Sequence, residues 1–321
     1  MLRRPDQPTR ILAIIGPTAV GKTGVSLDLA ERLATRKGRP VEIVSADSRQ
    51  VYRELTIGTA KPTPAELDRA PHHFIDEKSV TEVFSAGRFA EEAETRIADI
   101  FAREAIPVIV GGSTLYIEAL VHGIADIPPT TEATRTLLTE RLRREGAGIL
   151  FEELRKRDPE TARTMDATKT QRIVRALEVL TDTGTPLSRW HQHPTTPRFA
   201  YDVVVLDRPR EQLYERIERR VDHMLAAGLL DEMRGLIERG VSPTLSAMHT
   251  IGYREPVAYL RGEIDAEEMV RLLKRNTRRY AKRQRTWFRR RDSYAWLDLD
   301  TQAHGEVVEM LADRVMSSPT G

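Results

Sequence analysis

The chain has 321 residues, 40% of them hydrophobic, which suffices for one large or two ordinary domains with a sizeable core. A formal net charge of +2 with 31% charged residues excludes bulk charge as a source of nucleic-acid affinity, so only local basic runs can supply it. The absence of cysteine excludes disulfides, thiolate nucleophiles and thiolate metal sites.

The opening MLRRPDQPTR and the closing SSPTG are expected to be mobile. Behind the basic start, the apolar run ILAII (11–15) is too short for a signal peptide or a membrane span, so a cytoplasmic protein is expected. ILAII, VEIVSAD (41–47) and IPVIVGG (106–112) alternate with patterns of helical spacing, which predicts an α/β fold: a parallel sheet wound with helices. From Glu118 to about Phe199 the β-branched runs stop and helical spacings take over, with Gly146 and Gly184 as stop signals. YDVVVLD (201–207) then resumes a strand. The expected organisation is therefore a core of residues 1–117 and 201–321 with an all-helical insertion at 118–200.

GPTAVGKT comprises Gly16, Pro17, Thr18, Ala19, Val20, Gly21, Lys22 and Thr23, directly after a strand and before a helix-like VSLDLAERL. That context makes it a phosphate-binding loop: the glycines let the backbone curl, the helix adds its positive end, Lys22 a mobile cation and Thr23 a hydroxyl for Mg²⁺. Most such loops bind ATP or GTP, and the motif alone does not choose the anhydride. Two strand-end carboxylates compete as partners, Asp47 and Asp207; the latter is expected to start the next helix at RPREQLYERI.

Asp47, with Ser48 and Gln50, sits where open α/β sheets bind ligands, and can act as a metal ligand, as a general base or as a plain cap. The following IGTAKPT reads as a loop placed to act as a lid. In VGGSTLYIEAL two glycines permit close backbone approach, and Ser113 and Thr114 offer hydroxyls at a helix start. His72 and His73 lack a third ligand at metal spacing. Residues 271–291, RLLKRNTRRYAKRQRTWFRRR, contain no acidic residue, so the segment is expected not to be neutralised internally and to meet phosphates, in nucleic acid rather than membrane. Leu273, Tyr280 and Trp287, with Leu272 and Gln284 nearby, give it a docking side. In KTQRIVRALEVL, Ile173, Val174, Leu177 and Leu180 form a buried stripe opposite Lys169, Gln171, Arg172 and Arg175.

Taken together, GPTAVGKT, ADSRQVYRELTIGTAKPT, PHHFID, VGGSTLYIEAL, QRIVRALEV, IGYREPVAYLRG and TRRYAKRQRTWF resemble the tRNA dimethylallyltransferase family from about Ile11 to Phe288. The resemblance implies a P-loop NTPase-like core and transfer of a dimethylallyl group from dimethylallyl diphosphate to N6 of the adenosine just 3′ of the anticodon, in tRNAs reading codons that begin with U. It implies Mg²⁺, no ATP hydrolysis, and a monomer. By the same match Gly16 to Thr23 and Arg220 hold the diphosphate, with Thr23 at the metal. Asp47 is the general base, Ser113 a polar contact where many members carry Thr, and Ser48, Arg49 and Gln50 line the tRNA contact. Further implied tRNA contacts are Arg135, Gln171, Arg172, Ile173, Val174, Arg175, Gly252, Tyr253, Arg254, Lys282, Arg283 and Gln284. Lys169 and Thr170 stand where many relatives carry Asn-Asp, which puts an Asx-type cap in doubt. The rival readings are a P-loop small-molecule kinase, which leaves the basic helix without purpose, and a non-catalytic RNA-binding protein with a vestigial loop.

Overall fold

The computed structural model describes residues 10–243, 245, 247, 248 and 250–317. The two terminal stretches expected to be mobile fall outside these residues, apart from Arg10 and Ser317. The chain divides into two compact units, one of residues 1–121 and 198–321, the other His122–Pro197.

The first unit runs β1 (Arg10–Ile15), α1 (Lys22–Lys37), β2 (Val41–Ala46), α2 (Pro64–Leu67), β3 (His72–His73), α3 (Ala86–Ala102), β4 (Ile106–Gly111) and α4 (Thr114–His122). The second holds α5 (Glu132–Glu145), α6 (Ala147–Arg157), α7 (Pro159–Ala162), α8 (Thr170–Thr183) and α9 (Leu187–Trp190). The chain then returns to the first unit with β5 (Ala200–Asp207), α10 (Arg210–Ala226), α11 (Leu229–Glu238), α12 (Arg254–Leu260), α13 (Ala266–Phe288), β6 (Ala295–Asp298) and α14 (His304–Ser317).

The strands form one sheet in the order β3-β2-β4-β1-β5-β6, every pair parallel. Alternation in β1 sends Ile11, Ala13 and Ile15 to one core, shared with Phe89 and Ile97 of α3. Leu12 and Ile14 go to the other, with Leu29 and Leu33 of α1. Burial on both faces is why these strands read as unbroken apolar runs. The register matters for function: Ile15 pairs with Gly111 and Gly111 with Ala46, so the loops after β1, β4 and β2 leave the sheet in one row.

The helical unit is closed at its neck by a bridge between Ala125 and Pro194 and by Thr195 donating from its amide to Ile124 O at 2.9 Å. It is narrower than the 118–200 stretch because Ile117 and Leu120 of α4 pack in the core of the first unit and Ala200 already belongs to β5. Its own core gathers Leu138, Leu150, Leu154, Ile173 and Leu177. Gly146 joins α5 to α6 and Gly184, at φ +70°, ends α8. Lys169 caps the start of α8 without a side-chain bond, so the Asx-type cap is indeed missing.

Candidate active site

The loop after β1 is shaped by backbone conformations that few side chains tolerate. Gly16 has φ +154°, and a Cβ there would lie 2.5 Å from the carbonyl oxygen of Leu206. Gly21, at φ +117°, is the N-cap of α1, so the first amides of that helix lack partners within it and face the loop end with the positive pole of the helix. Lys22 Nζ donates to Gly16 O at 3.0 Å and Pro17 O at 2.9 Å, which holds its charge inside the curl. Burial lowers its pKa to about 8, Arg220 pushes the same way, and Asp47 opposes them.

Helix α10 adds more cations. Arg216 Nε donates to Ala19 O at 2.8 Å, and Arg220 reaches Thr18 Oγ1 at 3.5 Å. Just before α10, Arg208 Nε donates to Val20 O at 2.9 Å. Burial and then Arg216 lower the pKa of Arg220, the signature of positive charges gathered without enough negative charge between them. Sequence reasoning named Arg220 and missed Arg208 and Arg216, whose helical spacing to it, i to i+4 for Arg216, is the signal that was there to use.

Across the row, Asp47 Oδ1 accepts the amides of Arg49 at 2.8 Å and Gln50 at 3.3 Å, an Asx turn that uses one carboxylate oxygen and leaves the other outside the turn. Ser113, buried in the loop after β4, accepts the amide of Ser48 at 2.8 Å and donates to Ser48 Oγ at 3.1 Å. The phenol of Tyr280 on α13 is hydrogen-bonded to Ser113 and stays protonated, because burial raises its pKa. Tyr280 was expected only to dock its helix. Both loops open on one cavity of about 750 Å³, lined by Lys22, Asp47, Gly112, Arg220, Tyr280 and Gln284 among others.

Several expectations are corrected by this geometry. Gln284, expected at the RNA, is bound inside the protein: it is 2% exposed, its Oε1 accepts the amide of Thr18 at 2.9 Å and its Nε2 donates to Gly112 O at 2.7 Å. Tyr253 is fully buried, its OH donating to Glu232 at 2.6 Å, and Gly252, at φ +102°, is packed on the carbonyl of Gly58. Ile173 and Val174, expected at the RNA, lie in the core of the helical unit. Asp207 does not cap α10, whose cap is Pro209; it ends β5 and accepts from Arg285 Nε at 3.1 Å and Nη2 at 2.8 Å. The 57–63 loop, expected as a lid, is tied down. Its Thr59 and Ala60 carbonyls accept Gln50 Nε2 at 3.2 and 3.1 Å, and Glu232 binds its amides.

The basic helix is also partly neutralised, by acids from elsewhere in the chain. Lys274 pairs with Asp222 at 2.7 Å, Arg278 with Glu218, Arg285 with Asp207 and Arg291 with Glu118. Among the described residues, Arg279, Lys282, Arg283 and Arg290 are exposed with no carboxylate partner within 4.0 Å, so the free charge is concentrated there. In the helical unit Gln171 and Arg172 are exposed, whereas Arg135 and Arg175 both turn to the buried Glu178, at 3.3 and 3.4 Å. Arg254 is half-exposed and held by Glu255 at 2.7 Å. His72 Nδ1 lies 2.7 Å from Ala70 O, while His73 accepts from Arg96 at 2.8 Å and donates to Glu42 at 2.6 Å, so both nitrogens of the His73 ring are engaged at the sheet edge. Among the described residues no helix is long and apolar enough to cross a membrane.

A phosphate-cradling loop under a cluster of cations, with a carboxylate at the same sheet edge, defines a group transferase of the P-loop class. The family model for IPP transferase matches residues 50–291. The chain is 53% identical to a tRNA dimethylallyltransferase of Salinibacter ruber over 97% of this chain and 94% of that protein. It is 44% identical to one of Chlorobium limicola, over 90% of each. Among solved structures, the tRNA isopentenylpyrophosphate transferase of Bacillus halodurans is 38% identical with a TM-score of 0.68, covering 97% of this chain and 98% of that one. A eukaryotic dimethylallyltransferase described as acting on tRNA is 26% identical with a TM-score of 0.78, over 97% and 81%. The chain belongs to the IPP transferase family, the tRNA dimethylallyltransferases.

Proposed function

We infer that this enzyme transfers the dimethylallyl group of dimethylallyl diphosphate to N6 of the adenosine 3′-adjacent to the anticodon, adenosine 37, in tRNAs reading codons that begin with U. The observation that carries this reading is one cavity with an anion grip at Lys22 and Arg220 and a carboxylate at Asp47. An exocyclic adenine amine is a weak nucleophile and is stacked in its loop, so the base must be drawn out, at a cost of a few kcal/mol. The C–O bond to diphosphate breaks with its electron pair leaving on oxygen, the C–N6 bond forms, and the N6 proton passes to the Asp47 carboxylate. Lys22, Arg220 and the loop amides stabilise the departing charge. Ser113, Ser48 and Tyr280 hold the wall beside Asp47.

The donor at this site, the Thr23 hydroxyl, is a hard oxygen and suits Mg²⁺, which keeps waters and binds through few protein ligands plus phosphate. Bound there, the ion would supply further charge neutralisation on the diphosphate. We assign tRNA contact to the exposed cations Arg279, Lys282 and Arg283 of α13 and to Gln171 and Arg172 of α8. Arg49 and Ser48 lie at the cavity itself. The enzyme is expected to work as a monomer in the cytoplasm.

The test is incubation with dimethylallyl diphosphate, Mg²⁺ and an anticodon stem-loop carrying adenosines at 36, 37 and 38. The expected result is a mass gain of one dimethylallyl group on a single adenosine. Transfer of the γ-phosphate of ATP to a small acceptor, or RNA binding without modification, would overturn the reading.

A further inference from the structure

Glu232, in the first turn of α11, has no role in the chemistry above, yet its carboxylate is engaged from one direction after another. Oε2 accepts the amides of Thr56 at 3.2 Å and Ile57 at 2.8 Å, and Oε1 accepts the amide of Gly58 at 3.4 Å and the phenol of Tyr253 at 2.6 Å. These four donors are neutral, so the carboxylate is held by a nest of amides rather than by a salt bridge. Its helix is anchored through Met233 and Leu236 in the core.

The loop it grips is tight against the rest of this wall. A Cβ on Gly58 would meet the Tyr253 ring at 2.6 Å, and one on Gly252 would meet Gly58 O at 2.5 Å. Two residues on, the Thr59 and Ala60 carbonyls hold the Gln50 side chain, and the Gln50 amide is one of the two bound by Asp47. A continuous run of hydrogen bonds thus leads from Glu232 through the 56–60 loop and Gln50 to Asp47.

We propose that Glu232 is a positioning residue for the acceptor half of the site, fixing the loop that sets Gln50 and, through it, the turn that presents Asp47. This rests on the transfer reading above. Without the carboxylate, three adjacent amides lose their acceptor and the loop must move to find water or another partner. Misplacement of a reacting group by about 1 Å can slow a reaction ~100-fold. The grip on diphosphate, built on α1 and α10, does not run through Glu232.

The experiment compares single-turnover transfer at saturating dimethylallyl diphosphate and stem-loop with the affinity for inorganic diphosphate and Mg²⁺, in the full chain. Glu232→Ala is expected to transfer ~100-fold more slowly while its diphosphate affinity stays at the wild-type level. Glu232→Gln, which still offers an acceptor oxygen, is expected to stay within ~10-fold of wild type, and Tyr253→Phe to lose ~10-fold, about one hydrogen bond to a charged group. Should Glu232→Ala fail to fold, the milder pair carries the test in the same order. Wild-type transfer rates in Glu232→Ala and Tyr253→Phe, or transfer and diphosphate affinity falling together in proportion to a lowered Tm, overturn the positioning role alone. A wild type that binds both probes and transfers nothing overturns the reading it rests on, and the role with it.

Discussion

The loops after β1 and β2 leave the same sheet edge one strand apart and are made in opposite ways. The first is held by backbone conformation, with positive φ at Gly16, Ala19 and Gly21, and by cations bonded to its carbonyls. Burial first, and mutual repulsion second, shift Lys22 and Arg220 away from their charged forms. The second loop is satisfied by neutral partners: a carboxylate turned onto its own amides, and Ser48 bonded through amide and hydroxyl to Ser113 of the loop after β4. One half is strained until an anion arrives; the other is ordered beforehand. That contrast suits a reaction in which the leaving group brings the charge and the nucleophile needs only to be placed and deprotonated.

The largest effect should come from the acceptor half. Asp47→Asn keeps an oxygen for the amides of Arg49 and Gln50 but cannot take the N6 proton. Turnover is expected to fall ~1000-fold with diphosphate affinity unchanged, measured by single-turnover transfer beside calorimetric titration; normal turnover would remove Asp47 as the base. Lys22→Met should act on the other half, lowering kcat/KM for the donor ~100-fold. Because the Lys22 pKa in the free enzyme is about 8, diphosphate affinity should weaken as pH rises through that value, and the Lys22→Met protein should lack this dependence. Stability runs the other way. The unfolded chain, with Lys at its ordinary 10.5, binds more protons between about 8 and 10.5, so the Lys22 contribution to stability rises across that window. Thermal melts and titrations over the same pH range would separate the two; parallel trends would show that Lys22 is not the group involved.

The difference between the halves also explains what the sequence could reveal. Strands buried on both faces, and a loop whose function depends on glycines at fixed spacing, are local patterns, and β1, β2, β4, β5 and Gly16 to Thr23 were legible. β3 and β6 were not, because two and four residues of partial burial become strands only by pairing with Val44 and Leu206 and their neighbours. Arg208, Arg216 and Glu232 were missed because each acts on a loop more than 150 residues away in sequence. Asp207 looked like a helix cap, but the strand runs on to it and Arg285 comes from α13 to claim it. For Ile173 and Val174 helical spacing was the better guide than the family motif: it put them inside, where they are.

Gln284 tests how far the two halves are mechanically joined. Helical spacing set it on the docking side of α13 and the family resemblance set it at the RNA; its amide in fact bridges Thr18 in the β1 loop and Gly112 after β4. The fit is close, since a Cβ on Gly112 would lie 2.6 Å from Gln284 Nε2. Gln284→Met keeps the length of the side chain and removes both bonds, so the Thr18 amide loses its acceptor and the phosphate loop its brace. The expected result is a rise of ~10-fold in KM for dimethylallyl diphosphate, the scale of one or two hydrogen bonds, with stem-loop affinity unchanged. Gln284→Glu retains an acceptor for Thr18 but sets a carboxylate oxygen against the Gly112 carbonyl, so it should be impaired through the β4 side. A loss of stem-loop affinity with donor KM intact would return Gln284 to the RNA surface, and would mean that the exposed cations of α13 and the phosphate loop are not coupled through this side chain.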